Sequence, residues 1–276
     1  MKASLIIAVY KDVRALELIL ESLVTQTHKD FEVIVAEDGE SEEMLSFVTQ
    51  AQKKYPFVIK HTRQEDCGVR KARSQNNAII ASEGEYLIFI DGDCLLYSGF
   101  IDGHMTLAQK GRVLSGRRID LNADLSAKIR GAILAPQEIE KKLLTKYLYL
   151  AFDKSVKFEQ GIYFNPRGFI YKTFFANKKR STAILGCNFS CWREDIVALN
   201  GFDEGYGESA VSDDMDWDWR FKGYGLKTVS CKNIANMMHL YHTAYDRGDA
   251  SKHLTRMEKN RKNKEFICKK GLTSHM

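Results

Sequence analysis

At 276 residues, 44% of them hydrophobic, the chain is long enough for one substantial α/β domain with a smaller appended region, and two unrelated full-sized domains would be a tight fit. Its formal charge of +5 is uneven: residues 251–276 carry eight Lys or Arg against two Asp or Glu, leaving the first 250 at −1, which argues against a body-wide nucleic-acid surface. Six cysteines without a CxxC pair suggest neither a zinc ribbon nor a disulfide framework, so a reducing compartment is expected.

Met1 is followed by no charged n-region, small-residue cleavage site or apolar run of ~18 residues, so a soluble or membrane-peripheral protein is expected. The first ninety residues alternate β-branched runs with helically spaced apolar residues, the pattern of βαβ units. Ser4–Val9 reads as a buried strand, and Asp12 caps a helix whose inner face is Leu16, Ile19, Leu20 and Leu23. Phe31–Val35 is the second strand, ending in Glu37-Asp38-Gly39. Met44 to Ala51 marks a second helix, Phe57–Ile59 a third strand, and Val69 to Ser82 a third helix. Tyr86–Ile90 is a fully apolar strand that stops at Asp91-Gly92-Asp93.

Between about Asp120 and Arg180 the pattern changes. Glu138 to Ala151 predicts an amphipathic helix, followed by an aromatic, basic stretch broken by Asn165-Pro-Arg-Gly168. The expected organisation is a nucleotide-binding half at 1–119, a helical and aromatic insertion or lid at 120–180, an acceptor-binding and catalytic half at 181–250, and a basic tail at 251–276. The tail reads as a solvated, partly disordered helix, with an anionic-lipid contact as the alternative.

In an open parallel sheet, ligands lie beyond the carboxyl ends of the strands. Three strands here end at polar groups, Tyr10, Glu37/Asp38 and Asp91/Asp93, which places a candidate site on one sheet edge. Asp91-Gly92-Asp93 sets two carboxylates at a strand tip, suited to a hard divalent cation such as Mg²⁺ or Mn²⁺, although Asp-Gly is also a common turn. Ser212 to Arg220 packs four acids and two Trp into nine residues. Dipole complementation of a helix start explains such acids, while an aromatic face beside carboxylates suits a sugar. His239 and His242 are either structural or metal ligands.

These pieces, in their order and spacing, resemble glycosyltransferase family 2. They are Ala8-Val9-Tyr10, Glu37-Asp38-Gly39, Asp66 to Arg70, Asn76, Tyr86 to Asp93, Gly186-Cys187-Asn188, Asn200 to Glu204, Asp213-Asp214 and His239 to His242. The resemblance covers about Ala3 to Arg247, and the second half is similar to the galactosyltransferase C-terminal module of chondroitin-polymerase-type and lipopolysaccharide or capsule enzymes. It implies a GT-A fold, an α/β, Rossmann-like architecture with a mainly parallel sheet, and a metal-dependent, inverting transferase of the hexosyltransferase type. The implied donor is a nucleotide-diphosphate sugar, UDP before GDP, and the acceptor a saccharide or glycolipid.

Position by position, the resemblance implies donor binding by Val9, Tyr10, Asp38, Asp66, Arg70, Asn76, Asp91 and Gly92. Asp93 and His242 would hold Mn²⁺ or Mg²⁺, with His239 a weaker ligand candidate. Asp214 would be the catalytic base, with Asp213 and Trp217 binding the acceptor. A cytoplasmic location, peripheral at the inner face of the membrane, would suit such a task. Glu37 stands where the family usually has Asp, Asp213 where it usually has Glu, and Glu208 to Val211 replaces a glycine- and tryptophan-containing approach to the acidic pair. Two rivals are a sugar-phosphate nucleotidyltransferase, which normally needs a Gly-rich loop after the first strand, and an inactive glycan-binding protein of the same fold.

Overall fold

The computed structural model describes residues 1–176, 178–207, 214–243 and 251–275. In chain order it contains β1 (Ala3–Val9), α1 (Val13–Val24), β2 (Phe31–Glu37), α2 (Glu42–Lys54), β3 (Val58–Thr62), α3 (Lys71–Ala81), β4 (Tyr86–Asp91) and β5 (Cys94–Leu96). There follow α4 (Phe100–Leu107), β6 (Arg112–Ser115), β7 (Ile119–Asp120), α5 (Ala123–Arg130), α6 (Pro136–Lys142) and α7 (Phe169–Phe174). The chain then forms β8 (Asn188–Trp192), α8 (Arg193–Ala198), α9 (Asp214–Gly223), β9 (Lys227–Ser230), β10 (Met237–His239) and α10 (Ser251–Lys262).

The main sheet has the order β3-β2-β1-β4-β8-β6-β9. Only β8 runs against its neighbours; the other six strands are mutually parallel. Both faces of β1, β2 and β4 are covered, which is why those strands are mostly apolar rather than alternating, with Ser4 and Glu32 buried polar exceptions within them. One face packs on α1 and α2 through Leu5, Ile7, Leu16 and Ile19, the other on α3 and α9 through Ile6, Phe89, Ile79 and Trp217. Asp12 caps α1 by accepting from Ala15 N at 2.9 Å, as its position before the apolar run predicts.

A second sheet, β5-β10-β7, sits beside the carboxyl edge of the first. Its registers align Cys94 with His239, and His239 with Asp120.

One expectation is corrected. The predicted helix from Glu138 to Ala151 stops at Lys142: its carbonyl gathers the amides of Thr145, Lys146 and Tyr147, and a 3₁₀ turn over Leu148–Phe152 follows. That break lets Leu143, Tyr147 and Leu150 all reach the core. The inner face of the 120–180 segment is thus continuous with the main core. The C-terminal region forms the expected exposed helix, α10, in which only Met257 is buried, but the body also holds the segment at several points. Arg256 donates to Asp203 at 2.9 Å, Phe266 packs against Trp219, and Leu272 enters the core behind α3. The basic residues lie on the outside of a segment that the body holds by its apolar ones.

Candidate active site

Parallel register brings the carboxyl ends of β1, β2 and β4 to one level, with Val9 opposite Glu37 and Ala8 opposite Asp91. The loops leaving them carry Tyr10, Asp38 and Gly92. Gly92 lies against β1 so closely that a Cβ would meet Ala8 O at 2.8 Å, which is what the glycine between the two acids is for. Asp38 accepts from Gln64 Nε2 and from the Arg70 amide, both at 2.7 Å, and so holds the 64–70 loop over the sheet edge. Burial pushes its carboxyl up, against those two donors. Tyr10 is half exposed and its hydroxyl lies 3.4 Å from Asp66, which pairs with Lys11 at 2.8 Å. The Arg70 side chain donates to Glu65 O. Asp91 pairs with Lys71 Nζ at 2.7 Å.

Asn76 does not belong with this group. It is wholly buried, donates to Phe202 O at 3.0 Å and Glu204 Oε1 at 2.7 Å, and accepts from Phe202 N at 2.8 Å. It staples α3 to the 202–204 turn, so the donor-binding expectation for Asn76 is corrected to a structural one.

The small sheet assembles the candidate metal centre. Asp93 Oδ2 lies 3.2 Å from His239 Nε2 and 3.4 Å from His242 Nε2, and one donor atom from each residue falls within 4.8 Å of the others. Burial opposes the Asp93 carboxylate, yet the two imidazoles hold it below the ordinary range. One carboxylate and two imidazoles form a borderline donor set, better matched to Mn²⁺ than to the harder Mg²⁺. His239, the weaker candidate on sequence grounds, is as close to Asp93 as His242 is. Behind it, His239 Nδ1 lies 3.5 Å from Asp120 Oδ1, and Asp120 accepts from Arg118 Nε at 2.9 Å and Lys157 Nζ at 2.5 Å.

Asp214 opens α9 and accepts from the Gly186 amide, at the start of the antiparallel β8. Burial raises its pKa; the Gly186 N–H, Lys71 and Arg118 oppose that shift and Asp91 reinforces it, so Asp214 lies within electrostatic reach of the β4 tip. A groove of about 570 Å³ borders it, lined in part by Ala183, Ile184, Asp218 and Met257. Asp213 lies outside the described residues.

Trp217 does not face this groove. It is 0% exposed, stacked on Phe221 at 4.5 Å and edge-on to Phe202 at 5.0 Å, so its acceptor-binding assignment is corrected to core packing. Asp216 is structural too: it accepts from Tyr206 Oη, Trp219 Nε1 and Arg220 Nη1 at 2.8–3.0 Å.

Sequence reasoning missed Lys71, Arg118 and Asp120. Lys71 and Asp91 are twenty residues apart, and Asp120 meets His239 only because β7 pairs with β10. No spacing rule reports such a pairing; recognising Ile119–Asp120 as a strand is the one signal that was available.

The model for the glycosyl transferase family 2 matches residues 4–175, more than half of the chain. The chain belongs to that family. Family 2 relatives include the GalNAc(5)-diNAcBac-PP-undecaprenol beta-1,3-glucosyltransferase of Campylobacter jejuni, 30% identical over 227 residues that cover 74% of this chain and 70% of the relative. The poly(ribitol-phosphate) beta-glucosyltransferase of Bacillus spizizenii is 36% identical over 95 residues, 34% of this chain. The aligned segments span 15%, 28% and 17% of the first three curated relatives. Among solved structures, S. aureus TarS 1–349 in complex with UDP-GlcNAc superposes with a TM-score of 0.62 at 14% identity, over 99% of this chain and 69% of that one. The mannosyltransferase PcManGT from Pyrobaculum calidifontis, in complex with GDP-Man and Mn²⁺, gives 0.56 at 15% identity, over 92% and 60%. These likenesses establish the GT-A fold for this family 2 chain.

Proposed function

We propose that this chain is a metal-dependent, inverting glycosyltransferase that moves a sugar from a nucleotide-diphosphate donor, UDP-linked, onto a saccharide or glycolipid acceptor of a bacterial surface polysaccharide. The observation that supports this reading is the Asp93–His239–His242 cluster just past the β4 tip, with the partly buried Asp214 in electrostatic reach of Asp91 at that tip. Family membership supports it. So do the relatives, one named for an undecaprenol-linked acceptor and one for poly(ribitol-phosphate).

Tyr10 offers an exposed ring at the tip of β1 for a nucleobase, beside the Asp38 and Arg70 loop. Asp93, His239 and His242 would hold Mn²⁺, which when bound offsets charge on the leaving diphosphate. Lys71 sets a fixed positive charge beside Asp91 at the same edge. Asp214 accepts the proton of the acceptor hydroxyl as that oxygen attacks the anomeric carbon, and its raised pKa makes it a better proton acceptor. One in-line displacement inverts the anomeric centre. Against the nucleotidyltransferase rival, the loop after β1 has no glycine and its Lys11 is paired with Asp66.

Calorimetry of UDP binding with Mn²⁺ and with chelator tests the donor half of this reading. Binding should weaken on chelation and in Asp93→Asn. Equal affinity in all conditions contradicts it.

A further inference from the structure

Among the described residues, the barest aromatic side chains are concentrated in one stretch of chain. Phe152 is 89% exposed, Phe169 77% and Phe174 65%, and Leu148, Tyr149 and Ile170 are each more than half exposed. Isolated exposed apolar residues are ordinary, but this many within thirty residues is a surface that water does not favour. They sit on two short elements. The 3₁₀ turn Leu148–Phe152 buries only Leu150, and α7 buries only Tyr171. Both hang from the same part of the body: Leu143 packs on Gly161, Glu140 accepts from Ser98 N and Oγ, and Tyr163 lies against Gly99.

Charge says what covers this face. Residues 133–180 hold ten Lys or Arg against four Asp or Glu, a net of +6, equal to that of residues 251–276, whereas residues 1–132 and 181–250 together carry −7. Lys141, Lys142, Lys154 and Lys172 are exposed and interleaved with the bare rings. Two copies meeting face to face on this surface would bring like charges together. An anionic bilayer attracts the lysines and receives the rings at its headgroup boundary; residues 251–276 are as basic but carry no ring this bare, so the rings select this face.

We propose that the face built from residues 141–174 docks the protein on an anionic lipid surface, with Phe152, Phe169 and Phe174 entering the headgroup–acyl boundary and the surrounding lysines meeting lipid phosphates. The inference goes beyond the sugar-transfer reading and stands without it, since docking needs no nucleotide.

Flotation of the full chain with vesicles of phosphatidylglycerol and phosphatidylcholine, and with phosphatidylcholine alone, tests it. The protein floats with the anionic vesicles, less at high salt, and hardly with the neutral ones. The triple variant F152S/F169S/F174S lowers partitioning by roughly tenfold or more without lowering the melting temperature, because none of the three side chains is in the core. Three results overturn the proposal: no flotation of the parent, equal flotation of the triple variant, or a concentration-dependent dimer that the triple variant dissolves, which assigns the face to a second copy.

Discussion

Asp214→Asn isolates proton acceptance from everything else Asp214 does. Asparagine keeps the oxygen that accepts the Gly186 N–H, so the start of α9 should stay docked on β8. Among the described residues, Asp91 is paired with Lys71 and Asp93 lies between two imidazoles, so neither is free to take over. Turnover should therefore fall by about two to four orders of magnitude, roughly 3–5 kcal/mol of transition-state stabilisation, with donor affinity nearly unchanged. Stability should move the other way. Burial raises the Asp214 pKa above its ordinary 3.8, so its contribution to folding is fully present below that value and is lost as pH rises through the folded pKa. At neutral pH the variant sheds a partly buried charge and should melt at or above the parent's temperature. The assay is release of UDP from donor with saturating acceptor, measured as a function of pH: the parent loses rate as acid protonates Asp214, and the variant lacks that acid limb. A variant whose turnover stays within about fivefold of the parent refutes the base assignment and passes the role to Asp213.

The remaining predictions concern support rather than chemistry. Glu32 is wholly buried and its carboxyl is held at about 2: burial pushes it up, but the Glu83 amide, the Ser4 hydroxyl and Lys60 outweigh it. Its stabilisation is present above its ordinary 4.5 and lost as pH falls through about 2, so in urea melts Glu32→Gln should cost about 2–3 kcal/mol at pH 7 and much less near pH 2, and a cost that does not shrink in acid refutes this. Trp217→Ala should lower stability by about 3–5 kcal/mol in the same melts through a core cavity; an unchanged stability with a raised acceptor KM returns Trp217 to the acceptor site. Asp120→Asn should weaken Mn²⁺ binding by about tenfold or more, read as free Mn²⁺ by electron paramagnetic resonance, because Asp120 backs the His239 ring; unchanged binding removes it from the centre.

The nucleotide half was legible because its signals are local. Each β-branched run ends at its polar residue within one or two positions, and parallel register then aligns Val9, Glu37 and Asp91 without further information. Trp217 misled because a side chain at helical spacing from an acid looks the same in sequence whether it faces a ligand or a neighbouring element. The expectation for Asn76 rests on the resemblance alone, and in the fold Phe202 and its turn took both. The helix expected over Glu138 to Ala151 failed because three apolar residues had to reach a core that lies off the axis of α6. His239 was undervalued because its partner Asp93 is held beside it by β5 and β10, which are three residues each.

The reversal of β8 has a consequence for how such a site tolerates change. Because β8 runs against β4, with Asn188 opposite Ile90, the chain enters the main sheet at the edge where β4 has just left it. The segment between β7 and β8 thus departs from and returns to the same rim, and both of its ends are pinned by strand register. Length and composition can drift in that excursion while the spacing between Asp93, His239 and the Gly186 amide stays fixed. One rim thus carries both parts: strand tips whose spacing the register fixes, and an excursion whose length it does not.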